Sequence, residues 1–527
     1  MNPSRARPIP ASSSPTPAAD SALVLNLAAA LLAAALLRFF RLGAQNLWID
    51  EVFTWRSADI GSPLGWPRLV ENMHGPLLSV ILHTWCGWVG ESEWALRLPS
   101  AVFGVALVPV VAWLGARWVG RETVIPAAWL AACSPFLVWY SQEARNYSLL
   151  MLCACLSLLA LLRLRERFSA GRLAGFLAAT AAGLLSNFSF ALIAPLQLKW
   201  WFTRPVSARR RLAEAGLAAA ILVLVMTPWL VQATRVLDWS RLRPAREARA
   251  DEPPLRGPNT FHLAGVPFAA HAFSVGYTLG PSLRELRADP SLRPVARHAG
   301  ELAVTALVFG ALVALGLRAL ARRRRLGDGL LWLLAPALLV SYMALHNFKV
   351  FHPRYLAVAA PGFILLLAAA FADLRPRGRW VAGLAVGALW SVSLVQHYVS
   401  PRYAREDYRT VAARIVAEAR PGELILAANT ADLMFYYYRG SLPVRSFWLG
   451  FAADSARLED KLDEAMSGTR GVWVVMSRPE DLDPRGAFVR AMARRHPGAT
   501  AHARQGVTWW HVTESDLKPA SGVRRGP

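Results

Sequence analysis

Long uncharged apolar runs recur through the first 400 of the 527 residues and then stop. No other feature restricts the fold as strongly. An apolar run of roughly 17–25 residues crosses a bilayer as a helix, because a helix satisfies its own backbone N–H and C=O groups in hydrocarbon. The candidate spans are 21–37, 98–116, 123–140, 147–162, 173–186, 188–202, 215–231, 302–317, 329–345, 355–372 and 380–396. Charged residues make up 18% of the chain, against roughly 25% in soluble domains. A wholly soluble enzyme and a disordered chain are excluded. The expected fold is a polytopic α-helical membrane protein with about 11 spans.

The net charge of +23 is carried by short connectors between runs: Arg163, Arg165, Arg167 and Arg172; Arg204, Arg209, Arg210 and Arg211; and the arginines of 322–325. Basic connectors of this kind mark cytoplasmic loops, and they argue against nucleic acid as a partner. If the first two clusters are both cytoplasmic, the chain crosses an even number of times between them. It therefore turns at Ser186-Asn187-Phe188-Ser189. Cys86, Cys133, Cys153 and Cys155 all sit in apolar runs, where a thiol acts as small apolar filler.

The run 74–90 has no charge and two readings. Either it lies along the membrane without crossing, or it crosses and the N-terminus is outside. With a cytoplasmic N-terminus, a crossing here would put every later basic cluster outside, against the charge rule. The mixed charges of the 38–73 stretch leave both readings open.

Residues 1–20, rich in Pro, Ser and Ala, read as a disordered tail, and 21–400 as the membrane module with long loops at 38–97 and 232–300. Residues 401–527 read as a small α/β domain. It has helical pattern at 406–419 and 458–466 and strand pattern at 423–429, 471–476 and 506–513. It carries no phosphate-loop, GxSxG or zinc-ligand spacing.

Chemistry is concentrated at a few boundaries. Asp50 and Glu51 follow the first span by about ten residues; an acid there is either solvated in a loop or serves as a general base. Glu143 and Arg145 lie between two spans and could pair with each other. Arg97 and Arg354, the latter followed by Tyr355, sit at span ends, where an arginine is commonly an interfacial anchor. Taken together, Arg97, Arg145 and Arg354 fall on the side that the charge rule depletes. A guanidinium offers a fixed fork of donors to phosphate, so three beside a carboxylate pair point to a site that holds a phosphate leaving group.

The order of these segments resembles the family 39-type glycosyltransferases, GT-C-fold relatives of protein O-mannosyltransferases and aminoarabinose lipid A transferases. The resemblance rests on the acidic pair after the first span, an H-x-P-L segment at His74, Pro76 and Leu77, RLPSAVFG at 97–104, and S-x-E-A-R-x-Y at 141–147. It returns at Arg354-Tyr355. It implies sugar transfer, with inversion, from a polyprenyl-phosphate donor on the non-cytoplasmic face of a cell (inner) membrane. It implies Asp50 as the catalytic acid with Glu51 beside it, and carrier-phosphate contact at Arg97, extended here to Arg145, Arg354 and Tyr355. Substrate contacts are expected at His74, Glu143 and Tyr147. It also places the first loop outside, which makes 74–90 a non-crossing segment and the C-terminal domain extracytoplasmic. Gly75 stands where many relatives have proline, and Glu143 where many have aspartate. No metal or other cofactor is assigned; beyond the acidic pair only His74, Glu71 and Glu143 could ligate one. The acceptor is a lipid, polysaccharide or protein hydroxyl. The rival reading is a lipid or sugar transporter or flippase; the sequence has no internal repeat, and its span interiors lack the ionisable residues that mark transport pathways.

Overall fold

The computed structural model describes residues 17–61, 75–236, 264–282, 285–286, 289, 291–345, 351–428, 431–447, 455–478, 483 and 486–517. Residues 1–16, Glu71, His74 and the stretch 237–263 of the long loop lie outside them. Among the described residues, eight helices are long and apolar enough to cross a membrane, or nine if one bent pair counts as a span. The protein is a multi-pass membrane protein.

The chain runs from α1 (Pro17–Phe39) through α2 (Ile49–Ala58) to α3 (Leu77–Val89). α3 has 13 residues, which is about 20 Å of helix against about 30 Å of hydrocarbon. That is less than a full crossing. α4 (Glu93–Trp118) is a full span.

The run expected as one span at 123–140 is broken into α5 (Val124–Cys133) and α6 (Pro135–Ser141), bent by 54°. Pro135 has no N–H to continue the ladder, so the last carbonyls of α5 need other donors. Arg38, fully buried at the end of α1, provides them: its guanidinium donates to Ala131 O at 3.0 Å and Ala132 O at 2.8 Å.

α7 (Tyr147–Glu166) and α8 (Ala170–Ser186) follow, and α8 ends at Asn187, inside the segment where the charge pattern expects a turn. A 3-10 turn, Phe188–Ile193, leads into α9 (Ala194–Phe202). α8 and α9 have 17 and 9 residues, so the two spans expected here are the ones that fall below full length. The remaining helices are α10 (Ala208–Val236), α11 (Gly265–Val275), α12 (Ala299–Arg322), α13 (Leu326–Leu345), α14 (Ala360–Asp373) and α15 (Pro376–Val399). A 3-10 segment, Pro353–Ala359, runs directly into α14. α7 and the Pro353–Asp373 span are central, 78% and 89% buried, whereas α1 and α15 are 17% buried and face outward. Each central helix starts at the site described below.

Beyond residue 400, α16 (Tyr408–Glu418) and α17 (Ala431–Tyr437) cover one face of a five-stranded sheet; α18 (Ser455–Met466) and α19 (Ala487–Arg495) cover the other. The strands are β1 (Glu423–Ala428), β2 (Val444–Phe447), β3 (Gly471–Ser477), β4 (Ala501–Arg504) and β5 (Val507–Val512), in the order β2-β1-β3-β5-β4. β2, β1 and β3 are parallel, and β5 is antiparallel to both of its neighbours, β3 and β4. Alternate side chains go to opposite faces. Leu424, Leu426, Val472 and Val474 pack on α18 and α19, while Ile425, Trp473, Val475 and Trp509 join a core continuous with the membrane module.

This unit docks on the loop after α1. Leu47 N donates to Tyr437 Oη at 2.6 Å, Asn46 Nδ2 to Glu406 O at 2.9 Å, and Arg56 pairs with Asp432 at 2.5 Å. It therefore lies on the same side as Asp50. The arginine clusters at 163–172 and 322–325 sit at the opposite ends of spans whose other ends face this side.

Candidate active site

α2 begins with two acids in its first turn, where the helix dipole favours negative charge. Neighbouring residues on a helix point about 100° apart, so the two carboxylates take different surroundings. Glu51 turns inward and is fully buried. Its two oxygens accept from Arg97 Nε and Nη2, both at 2.8 Å, and Oε1 also accepts from Ala144 N at 2.7 Å. Burial pushes this carboxyl up, but Arg97 outweighs it and holds it below the usual carboxylate range.

Asp50 turns outward to the wall of a 240 Å³ cavity, where its Oδ2 accepts from Arg354 Nη1 at 2.7 Å. Arg354 comes from the start of the 3-10 segment before α14; its Nη2 donates to Tyr355 Oη at 3.1 Å, and its buried Nε has no hydrogen-bond partner among the described residues.

Apart from Glu143, the polar side chains described next are not among those expected from sequence. Arg405, just past the last span, has its guanidinium 4.9 Å from the Trp48 ring and 5.0 Å from the Trp139 ring. It pairs with Glu143, which is buried and whose Oε2 has no partner. Burial raises the Glu143 carboxyl above its ordinary value, opposed by Arg405 and reinforced by the nearby charge of Glu51. Arg478, held by Glu406 at 2.7 Å, and Arg402, paired with Glu285, complete the basic wall. Tyr140 and Tyr277 line it as well, their hydroxyls 2.7 Å apart.

Several expected site residues stand elsewhere. All five N–H groups of Arg97 are used: two on Glu51, the others on Leu42 O at 3.0 Å, Gln45 O at 2.8 Å and Asn46 O at 2.9 Å. No donor remains for a phosphate, so Arg97 and Glu51 form a clamp beneath the cavity, not a part of its wall. Arg145 donates to Asp50 O at 2.9 Å and Thr54 Oγ1 at 2.7 Å, bracing the turn that presents Asp50. Tyr147 is buried behind Tyr140, ring centroids 4.8 Å apart, and Tyr355 reaches the site through Arg354. His74 lies outside the described residues. Among the described residues no three His, Cys, Asp or Glu side chains cluster as metal ligands.

Residues 73–231 match the family model of dolichyl-phosphate-mannose-protein mannosyltransferases. No curated protein sequence matches the chain significantly. Among solved structures, apo ArnT from Cupriavidus metallidurans is similar with a TM-score of 0.60 at 15% identity, covering 95% of this chain and 100% of that one. The same protein bound to undecaprenyl phosphate gives 0.56 at 16% identity, with the same coverage. The archaeal oligosaccharyltransferase AglB from Archaeoglobus fulgidus, in complex with an inhibitory peptide and a dolichol-phosphate, gives 0.55 at 13% identity, covering 95% and 75%. The fold is GT-C. The family and the structural relatives alike are glycosyltransferases.

One available signal would have found part of what sequence reading missed. The charge rule that singled out Arg97, Arg145 and Arg354 applies equally to Arg402 and Arg405, which follow the last span on the side of Asp50. Nothing in the sequence separated Trp48 and Trp139 from the other tryptophans, 21 in all.

Proposed function

We propose that this protein is a membrane glycosyltransferase that moves a sugar from a polyprenyl-phosphate carrier to an acceptor hydroxyl, with inversion, on the non-cytoplasmic face. The Asp50–Arg354 pair, set in a wall that also holds Arg405, carries the reading. The similar structures of ArnT and AglB, which hold undecaprenyl phosphate and dolichol-phosphate, support a donor of that class.

In this scheme the acceptor oxygen attacks the anomeric carbon while the Asp50 carboxylate takes its proton. The bond from that carbon to the phosphate oxygen breaks, and its electron pair leaves with the phosphate. The charge that develops there is met by Arg354 and Arg405, fixed in advance by Asp50 and by the tryptophan pair. Glu143, on the cavity wall and paired with Arg405, is the contact for a sugar or acceptor hydroxyl. Glu51, Arg97 and Arg145 are positioning residues, acting by holding the first turn of α2.

Asp50→Asn keeps shape and removes the base. Purified and supplied with a polyprenyl-phosphate sugar, it should transfer at least about 100-fold more slowly than the parent, with an unchanged melting temperature. Transfer at the parental rate would remove Asp50 from the chemistry. Sidedness has its own test. A cysteine at Lys461, exposed on α18, should react with a membrane-impermeant thiol reagent in intact cells. Reaction only after permeabilisation would put the whole site in the cytoplasm.

A further inference from the structure

A second cavity, of 350 Å³, opens where the external ends of α1 and α15 meet. The two ends are tied together: Tyr398 Oη donates to Leu37 O, Gln45 Nε2 donates to His397 O at 3.2 Å, and the Phe40 and Tyr398 rings stand edge to face at 5.2 Å. Its polar lining includes Arg41, Arg405, Arg409, Thr410 and Ser400, with Asp407 as the one acid. Asp407 is already engaged, accepting from Thr410 N at 3.1 Å, Asn46 Nδ2 at 3.1 Å and Arg504 Nε at 2.7 Å. Arg405 and Arg409 are paired with Glu143 and Glu93.

Arg41 differs from them. Its side chain is exposed and has no ion-pair or hydrogen-bond partner among the described residues, although it lines the cavity. It directly follows Phe40, 56% exposed, and faces the end of α15, where Val395 and Val399 are each 59% exposed. An unpaired guanidinium with excess positive charge around it suits a phosphate. Exposed apolar side chains beside it, at the boundary of the spans, suit an acyl chain.

We propose that this cavity binds the phosphate of a membrane-lipid headgroup, with Arg41 as the principal contact and Arg409 and Thr410 beside it. The site is separate from the cavity that holds Asp50 and does not depend on the transfer reaction. Ala404 and Arg405 line both cavities, and of these two Arg405 is the charged side chain through which occupancy of one can be felt at the other.

The full chain in a neutral detergent, titrated with fluorescent short-chain phosphatidylglycerol and phosphatidylcholine at low salt, tests this. The parent should prefer phosphatidylglycerol by about tenfold, a typical effect of one charge-assisted phosphate contact. Arg41→Gln should lose the preference, Arg41→Lys should keep most of it, and Arg354→Gln, in the principal cavity, should keep all of it. A preference unchanged in Arg41→Gln, or lost in Arg354→Gln, overturns the proposal. Inorganic phosphate separates the two sources of this chemistry. Weak competition at millimolar concentration supports a lipid headgroup, and full displacement there overturns the lipid assignment in favour of free phosphate.

Discussion

Two ion pairs start from consecutive residues of one helical turn and do different work. Glu51–Arg97 lies in a buried layer in which every donor of the arginine is satisfied by the protein. Asp50–Arg354 lies on a cavity wall, each side chain about one-fifth exposed, with an arginine nitrogen left over. Chemical type does not separate them. Saturation and placement do: a guanidinium that has used five donors is part of the scaffold, and one that lines a cavity with donors to spare is available to a ligand.

The difference predicts opposite phenotypes. Glu51→Gln should strand the buried Arg97 charge and cost about 3–5 kcal/mol of stability, visible as a lower melting temperature or loss of folded protein. Asp50→Asn should leave stability alone and abolish transfer. If Glu51→Gln melted like the parent and lost only rate, the clamp would belong to the catalytic machinery and the contrast would fail.

Arg405→Gln sharpens the comparison at the next scale. Loss of one charge meeting the leaving phosphate should slow transfer by about 100-fold. It should also change the pH dependence of stability, because Glu143 loses the cation that opposes burial. A carboxyl raised above 4.5 binds its proton in the native state where the unfolded chain has released it, so stability falls as pH rises through that window. Without Arg405 the window extends toward neutrality, and the variant should lose melting temperature between pH 5 and pH 8 faster than the parent. Adding Glu143→Gln should flatten the curve. Glu51 has the reverse sign: lowered below 4.5, it contributes fully above that value and is lost as pH falls through its folded value. A variant whose curve matched the parent's would break the assigned coupling between Arg405 and Glu143.

The smallest effect concerns docking. Tyr437→Phe removes the acceptor for Leu47 N and should cost about 1 kcal/mol, with transfer nearly unchanged. A large loss of rate instead would mean that the α/β unit sets the geometry of α2 more tightly than one hydrogen bond implies.

The reading from sequence went furthest where the physics is one-dimensional. The need to satisfy backbone groups in lipid makes the helices legible, and charge parity alone marks the segment at Asn187 where α8 ends. It went least far where the answer depends on how many donors a side chain has left. Arg97 was marked for phosphate on the same grounds as Arg354, because neither spacing nor charge reports that three loop carbonyls surround it. The bend at Pro135 was readable in principle, but its partner, Arg38, lies about a hundred residues earlier in the chain. The role of the C-terminal unit was hidden in the same way, since Arg405 reaches Glu143 across 262 positions.

Composition and pattern by themselves settled that this chain lives in a bilayer, where its long helices run, and which few polar residues sit at their ends. Only the folded structure decided which of those residues face a cavity and which lie under it. The reason is that the membrane acts on each segment locally through the cost of unsatisfied backbone, whereas a site is made by side chains from distant segments competing for the same donors.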